Sequence, residues 1–301
     1  MTTTRPATGP IPELDYQRHA IGDADYLVGT CGDGPPVLLL HGFPQTHFCW
    51  RHVVPVLARR HTVVVADLRG YGGTDAPAGG PEGQGFTKRE MAADLVELMQ
   101  ALRHERFAVA GHDRGGRAGY RIALDHPQHV TSLAIVNIIP TLDQFERMSE
   151  GPSLGYWPWF LLAQPAPFPE QLIAASRERV LRFTFDSWAV DPGAIDARAF
   201  DEYLQALTDT TIAAICGDYR ASFWLDREHE TEDRRAGRRI DCPVLIVTGD
   251  AETQLADAAA VWQRWADSCR AITVPGGHFV PEEAADQLAA ALLEFLAAVD
   301  A

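Results

Sequence analysis

No two of the five cysteines, Cys31, Cys49, Cys216, Cys242 and Cys269, stand in a CxxC spacing, and their number is odd. Neither a disulfide framework nor a thiolate metal site is indicated, and the cytoplasm is the expected compartment. The eleven histidines show no HExxH-type spacing, so no metal or organic cofactor is implied. Runs rich in Lys or Arg are missing too, and 26 basic against 41 acidic side chains give a formal net charge of -15. A phosphate backbone or an anionic membrane needs a clustered basic face, so neither nucleic acid nor a membrane is an expected partner. The N-terminal MTTTRPATGPIPE has no basic segment followed by roughly 7–15 apolar residues, so it reads as neither a secretory signal nor a membrane anchor but as a loose leader. No internal repeat occurs.

What is present is an apolar alternation. With 301 residues and 46% hydrophobic content, the chain can bury one large core or a core carrying an inserted lid. Residues 12–29 read as a hairpin. PPVLLLHGF (35–43), HTVVVADLRG (61–70), RFAVAGHD (106–113) and VTSLAIVNIIP (130–140) are near-continuous apolar runs, the mark of strands buried on both faces. FTKREMAADLVELMQALRHE between them has helical periodicity. The alternation stops near residue 141 and resumes with CPVLIVTGD (242–250), a helix, the strand RAITVPGGH (270–278) and a closing helix. The pattern predicts an α/β fold with a mostly parallel sheet: a core over 1–140 and 237–301, and a helical insertion over 141–236 that is rich in aromatics, prolines and helix formers. The charge run DREHETEDRRAGRR reads as a solvated return to the core.

The chemistry gathers at strand ends. GHDRG (111–115) ends a buried strand and opens a helix; glycines two before and two after Asp113 clear the space for a sharp turn that raises the aspartate at the strand's carboxyl end. Open α/β sheets bind their ligands there. The competing reading is an ordinary turn with an aspartate N-cap. HGFPQTHFCW (41–50) follows an earlier strand and can present the Phe43 N–H beside that of Arg114 as an oxyanion hole. GGHFVPEE (276–283) puts His278 after the last strand, the place of a general base.

These motifs resemble the α/β-hydrolase family and, within it, the branch with an aspartate nucleophile: haloalkane dehalogenases, soluble epoxide hydrolases and fluoroacetate dehalogenases. HGFPQTH, DLRGYGGTD, GHDRGGRAGYR, LAQPAP and GHFVPEE are most similar to the fluoroacetate dehalogenases, over nearly the whole chain. The resemblance implies an eight-stranded, mostly parallel sheet with a helical cap, Asp113 as nucleophile, and a homodimer.

A carboxylate suits displacement at saturated carbon because it is already ionised at pH 7, whereas a serine must first lose its proton. His278 would then activate water against the resulting ester, with the Phe43 and Arg114 N–H groups on the oxyanion. Arg114 and Arg117 lie three apart at a helix N-terminus, where each opposes the helix dipole by about 0.3–1 kcal/mol, so helix stability does not favour them. Paired guanidinium groups suit a substrate carboxylate, and the resemblance implies that role for both; solvent-exposed or ion-paired arginines are the alternative.

The sequence departs from the fluoroacetate dehalogenases at two places. Asn137 stands where that family keeps the acid of the histidine. VTGDAETQ resembles the site after the seventh strand where other α/β hydrolases keep it, which makes Glu252 the substitute and Asp250 the second choice, against the plainer reading of a surface loop carboxylate. At the leaving-group site Pro158 replaces a histidine donor. Trp159 matches the tryptophan, and Trp224, in DYRASFW, falls near the tyrosine; plain packing is the alternative for both. The expected function is hydrolytic dehalogenation of a short 2-haloacid to the 2-hydroxy acid. The rivals are epoxide hydrolysis, with Tyr156, Tyr203 and Tyr219 available, and a catalytically impaired homologue that binds a small carboxylate.

Overall fold

A computed structural model describes residues 11–150 and 154–300. Most of the expected leader, residues 1–10, lies outside the described residues, but Ile11 is fully buried and its N–H donates to the Tyr16 hydroxyl at 3.0 Å, so the end of that stretch belongs to the core.

Eight strands form one sheet: β1 (Asp15–Ile21), β2 (Ala24–Cys31), β3 (Pro36–Leu40), β4 (Thr62–Ala66), β5 (Phe107–His112), β6 (Val130–Val136), β7 (Val244–Gly249) and β8 (Cys269–Val274). Their order across the sheet is β1-β2-β4-β3-β5-β6-β7-β8. The hairpin β1–β2 and the β2–β4 pair are antiparallel, and every later pairing is parallel. The mostly parallel sheet is the one expected from the apolar runs, and its eight strands are the number the family resemblance implied. β5 is buried along its whole length, as a central strand covered on both faces must be.

The helices of the sheet are α1 (Val54–Leu57), α2 (Lys88–Ala101) and α3 (Arg114–Asp125). Between β6 and β7 the described chain forms helices alone: α4 (Thr141–Glu150), α5 (Trp157–Leu161), α6 (Phe168–Ala174), α7 (Arg177–Trp188), α8 (Ala197–Ala206), α9 (Asp209–Ala221) and α10 (Arg227–Ala236), with short 3-10 turns and a π-helical turn at Ser222–Asp226. α11 (Ala258–Trp262), α12 (Val280–Glu283) and α13 (Ala285–Asp300) follow. α2 starts on a capping box, Thr87 accepting from the Glu90 N–H while Glu90 accepts from the Thr87 N–H.

Two devices fix the loops that leave β3 and β4. Asp67 is fully buried and accepts from the His47 N–H at 2.7 Å, from His47 Nδ1 at 2.9 Å and from the Gly73 N–H at 2.7 Å. Burial alone would push its carboxyl up, but His47, His41 and the backbone donors hold it well below the usual carboxylate range. The second device is close packing without side chains. A Cβ on Gly115 would lie 2.4 Å from the carbonyl oxygens of both His41 and Leu40, and one on Gly111 would lie 2.5 Å from Gly115. α3 therefore presses directly on the end of β3. Gly115→Ala is expected to destabilise the chain by about 1–3 kcal/mol, through backbone displacement at an overpacked site, as measured by urea unfolding.

Candidate active site

The turn from β5 into α3 holds Asp113 at φ 45°, ψ -115°, a strained conformation for a residue with a Cβ. Its side chain makes no capping bond to α3. One carboxylate oxygen, Oδ2, instead accepts from the Phe43 N–H at 3.2 Å, an observation that separates the raised aspartate from an N-cap. A Cβ on Gly42 would lie 2.4 Å from Asp113 Cβ and 2.9 Å from the Arg114 N, so the β3 loop lies flat against the turn. Asp113 is buried, which would raise its pKa; His278, Arg114 and Arg117 outweigh that cost and hold it below the ordinary value. It is an ionised carboxylate at neutral pH.

A cavity of about 340 Å³ opens in front of it, lined by Asp113, Arg117, Asn137, His278 and Glu252 from the sheet's carboxyl edge and by Gln144, Tyr156, Trp159, Trp188 and Tyr219 from the inserted helices. The insertion thus covers the strand ends. His278 is anchored through its backbone: its N–H donates to the Trp188 carbonyl at 2.9 Å, and its own carbonyl accepts from His112 Nε2 at 2.8 Å and from Asn137 Nδ2 at 3.1 Å. His112 is buried, which pushes its pKa down to about 3, so its ring is neutral and the Nε2 must carry the proton. The His278 ring packs against Trp188, 5.1 Å between centroids, and its Nε2 is buried without a partner.

Asn137, the chain's single asparagine, explains itself by the same geometry. Held at φ 62°, it accepts from the Gly249 N–H at 2.9 Å through Oδ1 and donates to the carbonyls of Gly277 and His278, both at 3.1 Å, through Nδ2. A carboxamide can do both; a carboxylate would face two carbonyl oxygens with no proton to offer. The residue is a clasp between β7 and the His278 loop. Glu252 lines the same cavity, half-buried, with no direct hydrogen bond to His278. Burial raises its carboxyl, His278 pulls it down, and Glu283 raises it further. Asp250 does not line the cavity and spends its Oδ1 on the Gly276 N–H at 3.0 Å.

The two arginines part company. Arg117 reaches the cavity, with one terminal nitrogen donating to the Ile139 carbonyl at 3.1 Å and to Thr141 Oγ1 at 3.0 Å, and with its Nε unpartnered. Arg114 does not line the cavity. It grips Asp218 from α9 with two nitrogens, Nε at 2.8 Å and Nη2 at 2.6 Å, and gives a further bond to Ser222 Oγ at 2.6 Å. Of the two, Arg117 alone lines the cavity, and Arg114 is the ion-paired arginine of the alternative reading. Both guanidinium groups lie over the Trp159 ring, 5.1 and 4.7 Å from its centre.

Trp224 needs correction as a site residue: it is 47% exposed, packs on Phe223 and does not line the cavity. Tyr219, five residues earlier, does, and it packs on both Phe43 and Trp159. Burial and the Asp113 charge push the Tyr219 hydroxyl well above its ordinary pKa, so it remains an O–H donor. Sequence reasoning also missed Trp188 and Gln144, which carry no motif; only the fold brings them in. Pro158, buried in the first turn of α5, offers no donor and does not line the cavity. Among the described residues no group of three or more His, Cys, Asp or Glu is disposed to hold a metal ion, and no helix is long and apolar enough to cross a membrane.

An elbow carboxylate, a facing histidine and a β3-loop N–H at the carboxyl edge of this sheet define an α/β hydrolase. A family model for the alpha/beta hydrolase fold matches residues 35–285, and the chain belongs to that family. It is 41% identical over 92% of its length to a fluoroacetate dehalogenase of Burkholderia sp, covering 91% of that protein. A soluble epoxide hydrolase of Corynebacterium sp. (strain C12) is 31% identical, over 89% of this chain and 92% of that one. The solved structure of ALR0039 from Nostoc sp PCC 7120 superposes with a TM-score of 0.92 at 38% identity, covering 95% of this chain and 99% of that one. Together these support hydrolysis of a small molecule as the coarse function.

Asn137→Asp is expected to destabilise the chain by about 1–3 kcal/mol in urea unfolding, the cost of a buried polar group left unpaired, and to lower turnover rather than raise it.

Proposed function

We propose that the chain is a hydrolytic dehalogenase of short 2-haloacids, of the haloacetate type, working through an ester on Asp113. The observation that carries the reading is the carboxylate of Asp113, ionised, uncapped and facing a cavity shared with His278 and an inward arginine. In this scheme Arg117 takes the substrate carboxylate, supported from behind by Arg114. Asp113 Oδ1 attacks C2 in line with the carbon–halogen bond; the C–O bond forms as the halide leaves with the bonding pair, accepting from the Trp159 indole and the Tyr219 hydroxyl. The Phe43 N–H stays on Oδ2 throughout.

In the second step His278 Nε2 takes a proton from water, the hydroxide adds to the ester carbon, and the Phe43 and Arg114 N–H groups hold the oxyanion. Collapse expels the 2-hydroxy acid, whose oxygen takes back the proton from His278, and the Asp113 carboxyl left behind releases the second water proton to solvent through His278, which restores the carboxylate. Glu252 is the proposed acid supporting the His278 cation through the cavity's low dielectric, a role that Asn137, committed to backbone, does not take. The relatives named above support a carbon–halogen or an epoxide substrate on one scaffold.

One observation favours a second reading. Tyr156 and Tyr219 both line the cavity, as a pair of donors to an epoxide oxygen would, while Tyr203 gives its hydroxyl to buried Glu282. A substrate panel decides: halide release from fluoro-, chloro- and bromoacetate, set beside diol formation from a simple epoxide. Haloacid turnover is expected, weaker for C–F, because fluoride most needs hydrogen-bond help on leaving and the scheme offers it the Trp159 indole and the Tyr219 hydroxyl alone. Diol formation alone would overturn the haloacid reading.

The mechanism is tested separately. His278→Gln is expected to stall at the ester, seen by mass spectrometry as an added carboxymethyl mass on the Asp113 peptide after haloacetate, with steady turnover lost by a factor of roughly 10²–10⁴. Unchanged turnover would remove His278 from the scheme.

A further inference from the structure

Behind the Trp159 and Tyr219 wall lies a second, fully enclosed set of charges. Lys88 is the only lysine of the chain, sits at the first position of α2, and is 1% exposed. Its ammonium pairs with Asp218 Oδ1, the same carboxylate that Arg114 grips with two nitrogens. Tyr71 donates to Asp218 Oδ2 at 2.8 Å. The Lys88 N–H donates to Asp226 Oδ1 at 2.9 Å, and Ser222 Oγ bridges the other Asp226 oxygen, at 3.0 Å, to Arg114, at 2.6 Å. Every one of these side chains is buried. Two cations and two carboxylates therefore cancel, and the set adds no net charge behind Arg117.

An arginine paired with Asp218 alone would be neutral, and Asp226 would add a net negative charge behind the cavity. A long, flexible lysine has no packing reason to be buried there; its desolvation is costly unless its charge is needed. We propose that Lys88 is a positioning residue for the substrate's carboxylate: by balancing Asp218 and Asp226, it keeps the anion site at Arg117 positive. The inference rests on the reading that a carboxylate binds at Arg117. It goes beyond that reading in assigning the site's charge to a residue of α2 that does not itself line the cavity.

The competing role is a latch, since the Lys88–Asp218 pair ties α2 to α9. The two roles differ in sign. Lys88→Met leaves one excess negative charge and Asp226→Asn one excess positive charge, while the carboxamide oxygen of the latter variant can still accept the Lys88 N–H. Electrostatic positioning predicts that KM for chloroacetate rises about 10-fold or more in the first variant and falls several-fold in the second, with kcat within about 3-fold of wild type in both. A latch predicts that both variants lose in the same direction. Movement of KM in one direction for both, or in neither, overturns the proposal.

Acetate, a carboxylate with no leaving group, gives a readout independent of turnover. Its affinity, by calorimetry, is expected to weaken about 10-fold or more in Lys88→Met and strengthen in Asp226→Asn. If wild type turns over only epoxides yet binds acetate with this pattern, the haloacid reading fails and this one stands; if it turns over haloacids with acetate affinity indifferent to both changes, the reverse holds. Should Lys88→Met not fold, the wild-type chain labelled with ¹⁵N-lysine supplies one ammonium resonance. A shift of that resonance on acetate saturation, together with tighter binding by Asp226→Asn, supports the proposal, and a static resonance overturns it.

Discussion

The contact of the β5–α3 turn with the loop after β3 is the constraint on which the rest of the molecule depends. Asp113 at φ 45° costs of order 1–3 kcal/mol in backbone strain, and it persists only because its surroundings leave no room for relaxation. Gly111 and Gly115 let the turn close on itself and on the carbonyls of Leu40 and His41, and Gly42 lets the β3 loop lie against Asp113. That same proximity brings the Phe43 N–H within 3.2 Å of the carboxylate. Strain, close packing and the Phe43 N–H contact are one geometric fact.

Around this turn the chain handles buried charge by compensation. Asp113 stays ionised because His278, Arg114 and Arg117 outweigh its desolvation. Arg114 is balanced by Asp218, and Asp218 in turn is shared with Lys88. Arg121 pairs with Asp233 and Arg51 with Glu282 in the same manner. Asp218 and Asp233 come from the inserted helices, so those helices are fastened by ion pairs to α3, the helix that follows Asp113. Breaking a buried pair by removing one partner is costly, which gives the insertion a defined seat over the strand ends.

His278 shows the complementary strategy. Its backbone is fixed by His112, Asn137 and the Trp188 carbonyl, and its ring is left unpaired at Nε2. An orphaned buried nitrogen is unfavourable in a resting structure unless a substrate or water completes it. Asn137, read from sequence as a weakness of the site, is in the structure part of what holds the histidine still.

The sheet, its strand order along the chain and the elbow were legible because each is local. Near-continuous apolar runs mark strands covered on both faces, and glycines two before and two after Asp113 mark a turn too tight for side chains. The same holds for Phe43 and His278, which follow strands directly. Trp224 failed because its segment is not a regular helix: the π-helical turn at Ser222–Asp226 breaks the 3.6-residue period, and Tyr219, on regular α9, is the residue that faces the cavity. The pairing of Arg114 with Asp218 spans 104 residues, and nothing in either segment announces the other. By itself, then, the sequence determined the sheet, the raised carboxylate and the basic pair beside it, since period and glycine placement act over a few residues. Only tertiary structure decided which arginine reaches the cavity, which aromatic donors face it and what holds the histidine, because those depend on how the inserted helices settle on the strand ends.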